Sequence, residues 1–366
     1  MDKNTSKSSF GKWINPINLE NLAEPIQKAD RYVKKCSFES YLKLMVYAHL
    51  EEVKSLHALK EELLDDQLQK ELGFESLSIS QVSRKHRAID TDLLAAIFAD
   101  LALKMKSTVP MMYSKPLYIL DSSTISLNLE QHGWAHFRKT KAGVKLHLRL
   151  VFMNDKHSYP DEAVITPAKE HDRNQLDVLI DEKEAIYVFD RGYLDFERFD
   201  QLCEDGYTFL TRIKKNTVIT PIEYRKVAVD SPTLSDTVVL LGASQKQMAH
   251  PMRVIEVEDT KGNFLRLTTN DLETSAETIA EMYRKRWQIE LFFRWVKQHV
   301  RIEHFYGRSE TAIQNQVYLA LIVYCLLVLT QEKTKSEKST LTIARRLKKL
   351  MWKSWKQWEK TLGNIP

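Results

Sequence analysis

Two apolar runs of strand length, PLYILD from Pro116 to Asp121 and AIYVFD from Ala185 to Asp190, each close on an aspartate. A run this short and this continuously apolar reads as a buried strand. Each carboxylate is therefore expected at a strand's C-terminal tip. In an open α/β sheet, ligands gather outside those tips. If the two strands are neighbours, Asp121 and Asp190 share one site; the bland alternative is that each merely caps a turn.

The surrounding pattern supports a mixed α/β core. Val144 to Phe152, Glu162 to Thr166 and Tyr207 to Ile213 read as further strands, with helices near Asn174 to Ile180 and Asp195 to Asp205. Upstream, from Asn18 to about Lys106, apolar residues recur at three and four spacing (Tyr41, Leu44, Met45, Ala48; Leu93, Leu94, Ile97, Leu101), which predicts helices. Within that region Ser78 to Arg87 opens with good N-cap residues and sets Arg84, Lys85 and Arg87 on a short helix. This segment resembles the second helix of a helix-turn-helix unit, a candidate DNA contact, although a basic surface helix has the same appearance.

Residues 214 to about 272 change character again. Short strand candidates (Val218-Ile-Thr, Val227-Ala-Val, Thr237-Val-Val-Leu-Leu, Met252 to Val257, Phe264 to Thr268) predict a β-rich insertion. Thr274-Ser-Ala-Glu277 fits a capping box opening a long helix through about Val300. The expected organisation is a helical N-terminal domain over 1–109, a catalytic core over 110–330 interrupted by the insertion at 214–272, and a basic helical tail over 331–366.

Composition narrows the function classes. The chain has 366 residues, 43% hydrophobic and 28% charged, with ten Gly and ten Pro, which excludes collagen-like and linker-rich sequences. Cys36, Cys203 and Cys325 lie far apart, so neither a disulfide framework nor a paired-cysteine metal site is expected. Met1 to Phe10 lacks an apolar stretch, so no secretory signal is expected, and the apolar run Val317 to Leu329 is shorter than the ~18–20 residues that span a bilayer. A buried helix and no membrane partner are expected there, with a cytoplasmic, nucleoid-associated location. The net charge of +5 is unevenly placed. Residues 1–115 hold 17 Lys and Arg against 16 Asp and Glu, whereas 331–366 hold 10 against 3. A basic segment with aromatics points to a polyanion such as nucleic acid, or to a solvated amphipathic helix.

The segment Glu281 to Lys297 adds a third carboxylate. At about 100° per residue, Tyr283, Arg286, Glu290 and Lys297 fall within a stripe about 60° wide, with Ile289, Phe292 and Val296 roughly opposite. A glutamate between cations is an odd metal ligand alone. It makes sense where Glu290 holds a cation and Arg286 and Lys297 hold the phosphates it acts on. Hard carboxylate oxygens suit Mg²⁺. The competing reading is an i,i+4 salt bridge on a solvated face.

The order Tyr283-x₂-Arg286-x₃-Glu290-x₆-Lys297 resembles the Tyr-Arg-Glu-Lys signature of a large group of bacterial insertion-sequence transposases of the DDE class, the insertion sequence four family. Leu120-Asp-Ser-Ser-Thr124 is similar to its first-aspartate motif, Phe189-Asp-Arg-Gly-Tyr193 to its second, and Gly143 to Leu148 to its second strand. The resemblance implies an α/β fold with a ribonuclease-H-like mixed sheet, a β-rich insertion and an all-α N-terminal domain. It implies that Asp121, Asp190 and Glu290 hold two Mg²⁺ ions, with Mn²⁺ tolerated, for in-line phosphoryl displacement. Tyr283, Arg286 and Lys297 would grip the backbone, with Arg191 a further phosphate candidate. The implied substrates are double-stranded DNA, namely terminal inverted repeats and target, bound by a homodimer on paired ends. The implied reaction is hydrolysis at the element's ends and joining of the 3′-hydroxyl to target.

In relatives a hairpin intermediate forms and an extruded base stacks on a tryptophan of the insertion. Residues 214–270 hold no Trp, only Tyr224 and Phe264. Trp287 and Trp295 fall off the catalytic stripe and are expected in the core. His171-Asp172 is similar to a loop motif that recurs in the family but reads here rather as a helix cap, and Gly192 as the turn after the strand. Trp352, Trp355 and Trp358 recur every three residues and so lie along one broad helical face, for packing on a partner or on the protein itself. Two other functions share these features: a domesticated, non-catalytic DNA-binding protein, and a ribonuclease-H-like nuclease without strand transfer.

Overall fold

The computed structural model describes residues 8–107, 111–155, 157–228, 231–258, 262–299 and 305–362. In chain order the elements are α1 (Ser9–Trp13), α2 (Ala23–Ala29), α3 (Phe38–Leu50), α4 (Leu56–Glu62), α5 (Asp66–Leu72), α6 (Ile79–Ala88) and α7 (Thr91–Lys106), then β1 (Leu117–Leu127), β2 (His136–Arg138), β3 (Lys141–Asn154) and β4 (His157–Pro167). There follow α8 (Leu176–Leu179), β5 (Ile186–Phe189), α9 (Phe196–Glu204), β6 (Thr208–Arg212), β7 (Ile219–Tyr224), β8 (Thr233–Leu241), β9 (Met252–Glu258) and β10 (Phe264–Thr269). The chain continues with α10 (Ala276–Lys285), α11 (Trp287–His299), α12 (Glu310–Lys333), α13 (Thr340–Leu350) and α14 (Trp355–Leu362). Two compact units emerge: residues 1–109, 125–144 and 293–366 form the first, and 110–124 with 145–292 the second.

The first unit is helical around α12, whose neighbours are α7, α3, α13 and α6. At 24 residues α12 is long and apolar enough to cross a membrane, yet most of its apolar stretch is buried inside the protein. Polar groups confirm a core role. Asn315 is fully buried and its amide donates to the carbonyls of His86 and Ile89, both at 2.9 Å. Buried polar groups satisfied by the protein's own backbone belong to an interior, where an unpaired one is costly. Ser37 and Ser309 cap α3 and α12, as hydroxyls do at helix starts.

The second unit is built on the sheet. Its strand order runs β3-β1-β5-β6-β10-β9-β8-β7, with β4 paired to β3. β5 lies parallel to β1 and β6 parallel to β5. The segment expected as an insertion continues this sheet, because β10 pairs antiparallel with β6 (Thr269 opposite Leu210) and β9, β8 and β7 follow outward. Val227 and Ala228, read as strand from sequence, carry no strand. β1 and β5 are apolar throughout their paired part because both faces are covered: Leu117 to Leu120 and Ile186 to Phe189 are all 5% exposed or less. Behind them Phe189, Phe199 and Phe209 pack ring to ring, with centroids 4.7 to 5.9 Å apart.

Candidate active site

The parallel register sets Leu120 opposite Phe189. One residue further on, Asp121 and Asp190 stand side by side, Asp190 just past the end of β5 and Asp121 not at a strand tip as expected but inside β1, which runs on to Leu127. Each carboxylate is held by the chain that follows it. Ser122 N–H donates to Asp121 Oδ1 at 2.7 Å, and Gly192 N–H to Asp190 Oδ1 at 2.6 Å. Asp190 heads the short turn Arg191–Tyr193. A Cβ on Gly192 would lie 2.8 Å from Asp190 Oδ1, so glycine allows the turn to curl beneath the carboxylate.

Glu290 comes from the first turn of α11. The expected continuous helix is instead broken at Arg286, which caps α10 before α11 begins. The start also differs by one residue. Ser275, not Thr274, is the N-cap and accepts from Thr278 N–H, while Thr274 Oγ1 donates to Asp271 at 2.6 Å. Ile289, Phe292 and Val296 are buried as their spacing requires. Arg286 lies between two carboxylates: its guanidinium donates to Glu290 Oε1 at 2.6 Å and stands 3.6 Å from Asp121 Oδ2. Among the described residues no three His, Cys, Asp or Glu side chains converge at metal-ligand spacing.

Electrostatics tie the carboxylates together nonetheless. Burial pushes the Asp121 carboxyl up to about 6. Repulsion from Asp190 and Glu290 pushes in the same direction, against the Ser122 N–H and Arg286. Burial works against the charged Arg286, but Glu290 and Asp121 outweigh it and keep the guanidinium above its usual value. Tyr283 is 7% exposed, and burial raises its phenol while Arg286 and Arg212 pull it down.

A second polar cluster supports Asp121 through Ser122, and its residues were not read from sequence as part of the site. His171 makes no side-chain cap bond, contrary to the capping expectation. Asp172 instead accepts the Ser122 hydroxyl at 2.6 Å and lies 3.1 Å from Lys145 Nζ. His147, fully buried on β3, is 3.6 Å from Asp172, and burial lowers its imidazole to about 4. Tyr193 completes the floor; burial first, then Asp172, Asp121 and Asp190, hold its phenol well above the ordinary range. The signal available in the sequence was only that Lys145 and His147 alternate on one face of a strand beside the site.

Arg191 is exposed beside Asp190. Lys297 is half-buried, seven residues beyond Glu290 on the part of α11 that belongs to the first unit. In the first unit, α6 exposes Arg84 and Arg87, while Lys85 is tied to Asp30 at 2.8 Å. Trp287 is 50% exposed rather than in the core, because its position on α11 is turned away from the buried Ile289, Phe292 and Val296. Trp295 is half-buried edge-on to Tyr324, centroids 4.8 Å apart.

Acidic side chains level with one another on adjacent parallel strands, beside Arg286 and the helical Glu290, define a site suited to cations and phosphates. Residues 113–326 match the family model described as the transposase DDE domain, and residues 5–75 match that of a domain of unknown function. A Geobacillus stearothermophilus protein named as the probable transposase for insertion sequence element IS5377 is 32% identical over 72% of this chain and 70% of its own length. A Sinorhizobium fredii protein named as a transposase, y4zB, is 33% identical over 58% of this chain and 60% of its own. Among solved structures, piggyBac transposase in a synaptic complex with hairpin DNA is similar at a TM-score of 0.49 and 8% identity, over all of this chain and 84% of that one. The chain belongs to the DDE transposase family. It is a transposase homologous to those of insertion sequences, and its DDE domain implies an enzyme that cleaves and joins DNA.

Proposed function

We propose that this transposase binds the terminal inverted repeats of an insertion sequence, cleaves at the element's ends and joins the 3′-hydroxyls to target DNA, with Asp121, Asp190 and Glu290 as its acidic triad. The strand order β4-β3-β1-β5-β6, with β1, β5 and β6 parallel, supports assigning this part of the sheet as a ribonuclease-H-like core. The observation that carries the reading is the side-by-side placement of Asp121 and Asp190, with Arg286 drawn between Asp121 and Glu290. A guanidinium in that position marks a site negative enough to need a cation. Oxygen donors of this kind fit divalent metal such as Mg²⁺, with Mn²⁺ tolerated.

Asp121, Asp190 and Glu290 would hold two such ions, which when bound activate the attacking oxygen and stabilise the leaving one. The protein's own groups then have distinct tasks. Ser122 and Gly192 N–H groups fix the two aspartates, and Asp172 anchors Ser122. Arg286, Tyr283, Lys297 and Arg191 bind backbone phosphates around the cleaved bond. Arg84 and Arg87 on α6 contribute contacts to the repeat, and the assembly is a homodimer on paired ends.

The test is cleavage and joining of DNA carrying the gene's bordering inverted repeats, in Mg²⁺, by wild type and the Asp121→Ala, Asp190→Ala and Glu290→Ala variants. Loss of both steps in each folded variant is expected. Full activity in any of the three would refute the triad.

A further inference from the structure

The carboxyl edge of the sheet extends past the two aspartates. The β5–β6 register pairs Val188 with Leu210, and continuing it two residues sets Arg212 beside Asp190. Asp121, Asp190 and Arg212 thus form one row across three consecutive parallel strands, with Asp121 inside β1, Asp190 just past the end of β5 and Arg212 the last residue of β6. Residues level with one another in a parallel sheet project to the same face, so Arg212 faces the side on which Tyr283 and Arg286 lie. At a strand spacing of about 4.8 Å, the row's backbone spans only about 10 Å.

Arg212 differs from most of the unit's arginines. Arg149 pairs with Asp161, Arg253 with Asp236, Arg266 with Glu256 and Arg286 with Glu290. Among the described residues the Arg212 side chain makes no hydrogen bond or ion pair, and its Nε is buried without an acceptor. A buried guanidinium nitrogen left unmatched is costly, and a group that arrives from outside is one way to satisfy it. Arg212 also lines an open cleft with Arg191, Lys215 and Phe264. Arg191 likewise has no ion pair among the described residues. Arg266 is excluded as a binder because it holds Glu256 and the carbonyls of Lys215 and Thr217, fixing the cleft's wall.

We propose that Arg212 binds a phosphodiester of the DNA strand engaged at Asp121 and Asp190, and that with Arg191 and Lys215 it forms the path by which that strand's backbone leaves the carboxylates. A guanidinium fork suits a phosphate's paired oxygens, and its missing partner is then supplied by substrate. The aspartates repel phosphate by themselves, so a fixed cation in the same row gives the backbone a place to rest one phosphate away. This inference rests on the reading of Asp121 and Asp190 as the cleavage site.

The experiment measures binding of a fluorescein-labelled DNA duplex of arbitrary sequence to the full chain across a KCl series in EDTA, for wild type, R212Q, R212K and R191Q. R212Q is expected to weaken binding about tenfold and to reduce the salt slope by about one. R212K should restore the slope but not the full affinity, since an ammonium offers a single point charge. If R212Q does not fold by circular dichroism, the exposed R191Q carries the same expectation of a slope reduced by about one. Unchanged slope and affinity in folded R212Q, beside normal wild-type binding, overturns the role of Arg212; with R212Q unfolded, unchanged binding by R191Q overturns the path. Wild type without salt-dependent DNA binding overturns the proposed function itself.

Discussion

Asp121 is held in a position that costs the fold something. Its carboxyl is raised to about 6 by burial and by Asp190 and Glu290, so the folded protein holds a proton there that the unfolded chain releases nearer 4. Between those two values the folded state binds more protons, and stability falls as pH rises. Above about 6 the full penalty, of order 2–3 kcal/mol, is present. In a chelating buffer, D121N is therefore expected to melt higher than wild type at pH 7 and to converge with it near pH 4, while losing cleavage. Thermal melts across that range check it, and a pH-independent difference would refute the assignment. The two aspartates could be singled out in the sequence because each closes an apolar run, although β1 runs on past Asp121 to Leu127 through residues too polar to read as a buried strand. Arg212 was not legible. Its place in the row depends on the register between β5 and β6, which no local pattern encodes. Lys85 shows the reverse failure: its helix face was readable, but not the Asp30 that neutralises it.

Local rules placed the elements more securely than they placed their joints. The apolar periodicity of α3, α7 and α12 and the apolar runs of β1 and β5 fixed those segments, since each must bury one face or both. The break between α10 and α11 went unseen because Arg286 keeps right-handed helical torsions, φ −51° and ψ −30°. Continuity of the insertion with the central sheet also lay beyond the sequence, because strand alternation says which face is buried and not which neighbour a strand finds. The turn after β5 makes a sharper claim. An alanine at Gly192 must displace the Asp190 carboxylate and break the 2.6 Å bond that holds it. G192A is expected to lower single-turnover cleavage at least about tenfold, the weight of one charge-assisted hydrogen bond. Its unfolding free energy should stay within about 1 kcal/mol of wild type, because the residue lies in a short surface turn. A denaturant melt and a cleavage time course measure the two together, and an unimpaired rate would show that the turn does not position Asp190.

For the molecule as a whole, a net charge of +5 conceals the basic stretch beyond residue 331, whose aromatic and charged side chains are placed differently. The tryptophans do not form one helical face, since Trp352 lies in the turn before α14. Trp352 packs on Phe10 and Tyr47, and Trp358 is fully buried against Trp355. Strand-like pairing of Ser8 with Ser354 and the contacts of α1 with α13 and α14 bind the two ends of the chain within the first unit. Packing on the protein's own core therefore accounts for the aromatic residues. The cations are a different population: Lys349, Lys353, Lys356 and Lys360 are all exposed. W358A is expected to destabilise the protein by about 3–5 kcal/mol, as large buried aromatics do. The charge-reversed K353E/K356E/K360E variant should melt within about 1 kcal/mol of wild type, as surface changes do, yet bind a DNA duplex more weakly and with a shallower salt dependence. Equal binding by that variant and wild type across a salt series would assign the tail to the core alone and leave its charge as a solvated face.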